Sequence, residues 1–183
     1  MNPIQKAIIP GIILGVLSLV GLSKLILPPF PVSAATEEAA SLQSSNTCEF
    51  AERYPAKIRP WCAIIEEASK QYSVDALLVA AVMLQESGGQ PQVMSDSGAV
   101  GLMQVMPSDG ISATFQCING PCFANRPTIQ ELQDPAFNID YGVRMLAGLI
   151  ERYGDIREAL KAYGPYDVGY LYADKVLTIR NGL

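Results

Sequence analysis

The chain has 183 residues, with 13 basic and 18 acidic side chains and no histidine. Without histidine the usual Ser-His-Asp, Cys-His and His-Glu-x-x-His sites cannot be built, which excludes most serine esterases, Cys-His peptidases and ordinary zinc amidases. Only Lys6 and Lys24 among the charged residues fall within residues 1–35, so the remainder carries 11 basic against 18 acidic side chains. This excess repels phosphate backbones and argues against nucleic acid as a partner. We therefore expect carboxylate chemistry on a neutral or weakly charged substrate, with no metal and no cofactor.

The N-terminal segment predicts where the protein works. Residues 7–23 form an uncharged apolar run, longer than a usual signal-peptide core and close to the minimum for a spanning helix. Val32-Ser33-Ala34 also fits the small-residue rule for cleavage after Ala34. Residues 1–35 are thus predicted to be either a cleaved signal peptide or a retained membrane anchor. Both alternatives put the rest of the chain outside the cytoplasmic membrane, in the cell envelope or beyond it.

Residues 36–47, rich in Ala, Ser and Glu, predict a flexible tether. Residues 48–183 are long enough for a single domain that buries about two thirds of its unfolded surface. We expect that domain to be a monomer. It contains no internal repeat and no second linker.

Four cysteines lie beyond the tether, without the Cys-x-x-Cys spacing of a metal site. An even number of cysteines in an extracytoplasmic domain indicates disulfides. Three pairings are possible, and we favour the two local ones, Cys48 with Cys62 and Cys117 with Cys122. The second would close a small loop, with room for a short β-hairpin near residues 117–122.

The periodicity predicts a mainly α fold with helices near 60–71, 74–87, 129–133, 135–153, 155–163 and 167–180. The most informative helix is 74–87, in which Ser73 is the expected N-cap and the apolar positions recur at helical spacing. Glu86 falls in its last turn, where the helix dipole opposes a negative charge. Apolar neighbours would also desolvate this carboxylate. Both effects predict a raised pKa for Glu86, and therefore a proton donor near neutral pH.

A glycine-rich segment follows this helix. Gly98 and Gly101 permit a tight backbone, and the run Gly101-Leu102-Met103-Gln104 continues it with an apolar surface and an amide. Further along, Asp134-Pro135 predicts the start of the long helix 135–153, whose second turn begins with Asn138-Ile139. Asp155 and Glu158 form a capping-box pattern for a helix that ends at Ala162-Tyr163.

Together, Glu86-Ser87, Gly101-Leu102-Met103-Gln104, Asn138-Ile139 and Ala162-Tyr163 resemble the motifs of the soluble lytic transglycosylase (SLT) and goose-type lysozyme-like superfamily. The resemblance covers about residues 60 to 180 and implies a lysozyme-like fold that cuts the glycan strands of peptidoglycan.

The resemblance implies that Glu86 donates a proton to the oxygen of the β-1,4 bond between N-acetylmuramic acid (MurNAc) and N-acetylglucosamine (GlcNAc). Glu86 then acts as base on the 6-hydroxyl of the same MurNAc, giving a 1,6-anhydro end. Ser87 would orient Glu86 or the substrate's acetamido group. The sugars would be held by Tyr163 and by the run from Gly101 to Gln104, which comprises Gly101, Leu102, Met103 and Gln104.

One departure from the family pattern affects the predicted cleft. Gly164-Pro165 follows Tyr163 directly, where the family usually has Asn-Ala before Gly-Pro. Tyr163 is still expected to point its hydroxyl toward Glu86, with Tyr166 or Asp167 as possible replacements for the missing amide. For Tyr170 and Tyr172 a role in an aromatic cluster is favoured.

Two alternatives to the transglycosylase remain at this point. A goose-type muramidase would hydrolyse the same bond with a second carboxyl group, for which Asp96 and Asp109 are the nearest residues in sequence, although both are typical turn-forming aspartates. A non-catalytic wall-binding or scaffold module of an envelope-spanning apparatus is compatible with the missing Asn-Ala pair. The loop from Cys117 to Cys122 is expected to form a rim of the glycan groove.

Overall fold

The structure is a computed structural model that describes residues 48–183. The predicted signal peptide or anchor (1–35) and the tether (36–47) lie outside these residues. None of the helices between residues 48 and 183 is long and apolar enough to cross a membrane. The described part is mainly helical with one small two-stranded sheet, as the periodicity predicts.

Six α-helices follow the chain: α1 (Cys62–Tyr72), α2 (Ala76–Ser87), α3 (Ile129–Leu132), α4 (Pro135–Tyr153), α5 (Ile156–Tyr163) and α6 (Leu171–Gly182). A 3₁₀ turn at Arg59–Trp61 precedes α1, and a second one at Gly110–Thr114 precedes the sheet. Strands β1 (Gln116–Cys117) and β2 (Gly120–Pro121) are antiparallel, with Cys117 opposite Gly120. This is the hairpin that the loop between the cysteines predicted.

The predicted helix boundaries are correct to within a few residues, and the exceptions have local causes. Helix α6 begins at Leu171 and not near residue 167, because Gly169 has a φ of +59°, which a right-handed helix cannot contain. The predicted N-cap of α2 is wrong. Ser73 has a φ of +56° and ends α1, whereas Asp75 caps α2 by accepting a hydrogen bond from the Leu77 amide at 2.9 Å.

The predicted capping box at the start of α5 is only half formed. Asp155 accepts a hydrogen bond from the Glu158 amide, but the Glu158 carboxylate instead accepts one from the Tyr170 hydroxyl. A complete capping box occurs at α3, between Thr128 and Glu131.

Helix α2 forms the centre of the core. Its residues from Leu78 to Met83 are at most 1% exposed. Helix α2 packs against α1 on one side and α6 on the other, while α4 packs against α1 and α5. A helix that is apolar on all sides must be enclosed by others, and its end is thereby held in a fixed position. That end carries Glu86.

Both predicted disulfides are present. Cys48 is bonded to Cys62 at the start of α1, and Cys117 is bonded to Cys122 across the hairpin. Beside the first disulfide, the buried Glu66 carboxylate accepts hydrogen bonds from the Glu49 and Phe50 amides at 2.9 and 3.0 Å. The chain is therefore fixed to α1 at the point where the described residues begin.

Candidate active site

Glu86 lies in the last turn of α2, which ends at Gly88 in a left-handed conformation with a φ of +60°. The carboxyl group is largely enclosed by surrounding side chains. Burial raises the pKa of Glu86 to about 7, from 4.5 for an ordinary glutamate, because the charged form loses its solvation. At neutral pH this group can therefore both donate and accept a proton.

Tyr172 is the direct partner of Glu86. Its hydroxyl donates to Glu86 Oε1 at 2.5 Å, and the residue is 6% exposed at the start of α6. This bond favours the ionised carboxylate and so lowers the pKa of Glu86, although burial outweighs it. The ring packs against Gly164 so closely that a Cβ at that position would overlap it. Gly164 is thus the residue that lets Tyr172 reach the acid.

Tyr172 is absent from the predicted site residues, because a role in an aromatic cluster was favoured for it. Tyr170 instead contacts charged side chains, since its ring lies under Arg157 and Lys161 and its hydroxyl contacts Glu158. The sequence signal for Tyr172 is its spacing from Ala173 and Val176, which places the three on one face of α6. The structure buries that face.

Tyr163, whose hydroxyl is predicted to point toward Glu86, has its hydrogen bond elsewhere. Its hydroxyl donates to the Met103 carbonyl at 2.9 Å. The two groups are nevertheless close enough to interact, since burial and then the Glu86 charge both raise the pKa of Tyr163 above its usual range. Tyr163 therefore joins α5 to the glycine-rich segment beside the acid.

Ser87 also has partners different from those predicted. Its hydroxyl lies within hydrogen-bonding distance of the Leu102 carbonyl at 2.8 Å and the Met83 carbonyl at 3.1 Å, and it accepts from the Gly89 amide. It is 6% exposed. With its single proton and its acceptor both in use inside the protein, Ser87 ties the end of α2 to the Gly101–Gln104 segment.

Asn138 holds that segment from behind. This fully buried side chain accepts from the Met103 amide at 2.8 Å and donates to the Val100 and Leu132 carbonyls at 2.9 Å each. The sequence motif contained Asn138, but no role was assigned to it. Its position on the apolar face of α4, next to Ile139, was the available signal, because a buried amide requires partners.

The close approach of Asn138 depends on Gly101. Gly101 has a φ of +77°, and a Cβ there would lie 2.8 Å from Asn138 Cγ. Gly101, Leu102 and Met103 are all buried and lie in the wall of the site, and their predicted contact with the sugars, through the Met103 backbone, stays a prediction. Gln104 differs: it is half-buried, and its Nε2 donates to the Gly101 carbonyl at 3.0 Å.

A cleft of about 760 Å³ adjoins these residues. Gln104 and Tyr163 are the two predicted sugar-holding residues that line it, together with Tyr166 and Asp167. Phe115 and Phe123, which precede and follow the disulfide-closed hairpin, also line it, whereas residues 117–122 do not, so a rim formed by that loop stays a prediction. Glu86 is not part of the lining. Its carboxylate accepts the hydrogen bond from Tyr172, and its charge acts on Tyr163, which does line the cleft.

The chain is similar to a known family and to several named proteins. The model of the family described as "Transglycosylase SLT domain" matches residues 63–168. Membrane-bound lytic murein transglycosylase E of Buchnera aphidicola subsp. Acyrthosiphon pisum is 36% identical over 55% of this chain and 44% of the relative. A protein named transglycosylase from Enterobacteria phage PRD1 is 39% identical over 56% of this chain and 34% of the relative.

Another curated relative and a solved structure extend the comparison. Endo-type membrane-bound lytic murein transglycosylase A of Klebsiella pneumoniae is 38% identical over 48% of this chain and 41% of the relative. An inactive mutant of the lytic transglycosylase Slt from Pseudomonas aeruginosa has a TM-score of 0.49 and 20% identity, over 64% of this chain and 23% of that chain. Each match covers less than half of the relative. Since the family model matches more than half of this chain, the protein belongs to the Transglycosylase SLT domain family.

Proposed function

We propose that this protein is a peptidoglycan lytic transglycosylase. Glu86 would first donate its proton to the oxygen of the MurNAc–GlcNAc β-1,4 bond. The resulting carboxylate would then remove the proton from the 6-hydroxyl of the same MurNAc, which closes the 1,6-anhydro ring. The observation that carries the proposal is the enclosed position of the Glu86 carboxyl group at the end of α2 beside Tyr172, where burial raises its pKa to about 7. A group that must act as acid and then as base works best when its pKa is close to the working pH.

Tyr172 has a defined part in this proposal. After Glu86 has given up its proton, the Tyr172 hydroxyl stabilises the carboxylate that remains, through the bond to Oε1. Burial keeps the proton available, and the tyrosine makes its departure easier. Gln104 and Tyr163, which line the cleft, would hold the sugars, while Ser87, Gly101, Leu102 and Met103 set the shape of the wall.

A Tyr172→Phe substitution tests this part. The ring still packs against Gly164, but the hydrogen bond that favours the ionised Glu86 is lost, so the pKa of Glu86 should rise further. We expect the alkaline limb of the kcat/KM profile against pH to move upward by as much as about one pH unit. Tyr170→Phe is the matched control, since Tyr170 contacts Glu158. A limb that stays in place, or moves to lower pH, would refute the role given to Tyr172.

The muramidase alternative requires a second carboxyl group. Asp109 accepts a hydrogen bond from the Ile129 amide at 2.8 Å at the start of α3, and Asp96 is exposed in a turn. Both therefore have the structural roles typical of turn aspartates. Asp167, an exposed residue, is the acid that lines the cleft. If the protein is a hydrolase, we infer that Asp167 rather than Asp96 or Asp109 assists water.

Digestion of purified sacculi tests the proposed function. The released muropeptides are identified by mass spectrometry, and we expect 1,6-anhydro-MurNAc ends, which are lighter than reducing ends by one water. Reducing ends would favour the muramidase, and Asp167→Asn should then abolish their release. If neither product forms, the protein is a non-catalytic wall-binding or scaffold module. The Glu86→Gln variant is the negative control for release of muropeptides.

We also propose that the protein works outside the cytoplasmic membrane as a monomer. Two disulfides within residues 48–183 support an oxidising compartment. Curated relatives are named as membrane-bound, and the apolar run at residues 7–23 would serve as anchor if it is retained.

A further inference from the structure

Two arginines of the cleft have no acidic partner. Arg126 and Arg152 both line the cavity, and neither forms an ion pair with any carboxylate within residues 48–183. In the same part of the chain, Arg157 and Arg180 are each paired with an aspartate. Asp167 lines the same cavity, so the two arginines outnumber the acid there, on a chain whose net charge is −5.

Arg126 is held in place by neutral neighbours. Its Nη1 lies 3.2 Å from Met145 Sδ on α4, and its guanidinium group is 5.4 Å from the centre of the Phe123 ring. These contacts fix the side chain without neutralising it. The positive charge of Arg126 also acts on Tyr163, whose pKa it lowers against the larger effect of burial. Arg126 and Glu86 thus both act on Tyr163, with charges of opposite sign.

Arg152 extends the charge along the cleft. Met145, Gly148, Leu149 and Arg152 follow one face of α4, and all four line the cavity. Arg152 is two helical turns beyond Met145, or roughly 10 Å along the axis. An extended peptide covers that distance with about three residues. Arg126, held beside Met145, and the exposed Arg152 two turns further along α4 thus match the length of a short peptide better than a neutral sugar.

We propose that Arg126 and Arg152 form a stem site, which binds the carboxylates of the peptide stem carried by MurNAc. This inference rests on the proposed function, because the stem enters the cleft together with the glycan. The sugars themselves are neutral and leave the two guanidinium groups without a counter-charge. The acidic domain would otherwise repel an anionic stem. Arg126 and Arg152 together supply the attraction that binding requires.

A binding titration tests the stem site with the full-length Glu86→Gln variant, which prevents turnover. The two probes are a purified peptidoglycan tetrasaccharide with intact tetrapeptide stems and the same tetrasaccharide after amidase removal of the stems and conversion of the lactyl carboxylates left on MurNAc to neutral methylamides. We expect the stem-bearing probe to bind about tenfold more tightly, by an amount that decreases with added salt. Adding Arg126→Met or Arg152→Gln should bring the ratio of the two affinities close to one.

Two further variants serve as controls. Arg126→Lys retains the charge and should retain most of the ratio, which separates charge from loss of packing against Phe123. Arg144→Met is the matched control, because Arg144 is an exposed arginine of α4 that lies over Tyr141 and not in the cleft. A ratio near one in the parent protein, or a ratio that Arg126→Met and Arg152→Gln leave unchanged, overturns the proposal. Affinity does not require cleavage, so failure of the sacculus digestion is a separate result.

Discussion

Replacing Glu86 with glutamine should reduce glycan cleavage by about 10³-fold without unfolding the protein, as expected for the loss of a general acid. Glutamine has nearly the same shape, and its side-chain oxygen can still accept the hydrogen bond from Tyr172. It cannot donate a proton to the glycosidic oxygen. Release of muropeptides from sacculi measures the loss, and Glu67→Gln, an exposed position on α1, is the control.

The same substitution should stabilise the fold at alkaline pH. A pKa near 7 in the folded protein against 4.5 in the unfolded chain means that folding favours the protonated form. The loss of folding free energy caused by burying the ionised Glu86 is absent below pH 4.5 and grows between pH 4.5 and 7. Above pH 7 it levels off at a value on the order of 3 kcal/mol. The melting temperature of Glu86→Gln should therefore exceed that of the wild type by roughly 5 to 10 °C at pH 8 and by little at pH 4.

Cleavage of glycan by Glu86→Gln at the wild-type rate would contradict the proposed chemistry.

Truncating Asn138 to alanine should be one of the most destabilising single changes in the domain. The substitution leaves the Met103 amide and the Val100 and Leu132 carbonyls without their partner, all in a buried environment. We expect a loss of about 3–5 kcal/mol in the free energy of unfolding, a large share of the stability of an ordinary domain. Urea denaturation followed by circular dichroism measures it.

Asn125→Ala is the control for this prediction, because it makes the same change at an exposed position. It should alter the free energy of unfolding by less than about 0.5 kcal/mol. If Asn138→Ala were as mild as its control, the Asn138 hydrogen bonds would not hold the Gly101–Gln104 segment. The wall of the cleft would then need another explanation.

Features with local causes could be predicted from the sequence. Helix α4 has the predicted bounds because Asp134, Pro135 and Gly154 mark its ends chemically. The disulfides join cysteines that are only 14 and 5 residues apart. The raised pKa of Glu86 could be expected from the apolar character of α2. In each case the decisive residues are neighbours in the chain.

Contacts between distant residues could not be predicted in this way. Tyr172 is 86 residues from Glu86, and Tyr163 is 60 residues from the Met103 carbonyl that it contacts. Both side chains are tyrosines near the ends of short helices, and only packing determines which one meets the acid. The same limit applies to Ser87. Its predicted role is to orient Glu86 or the substrate, and in the structure its hydroxyl bonds to the Leu102 carbonyl. The sequence pattern offers candidate site residues but does not determine which of them pair.

A titration of the Glu86 carboxyl group by carbon NMR tests the central claim most directly. In protein labelled with ¹³C at the glutamate side-chain carboxyl groups, the signal that disappears in Glu86→Gln identifies the residue. We predict a titration midpoint of about 7. A midpoint near 4.5, the value of an ordinary glutamate, would mean that the acid is ionised at neutral pH, and would contradict its role as proton donor.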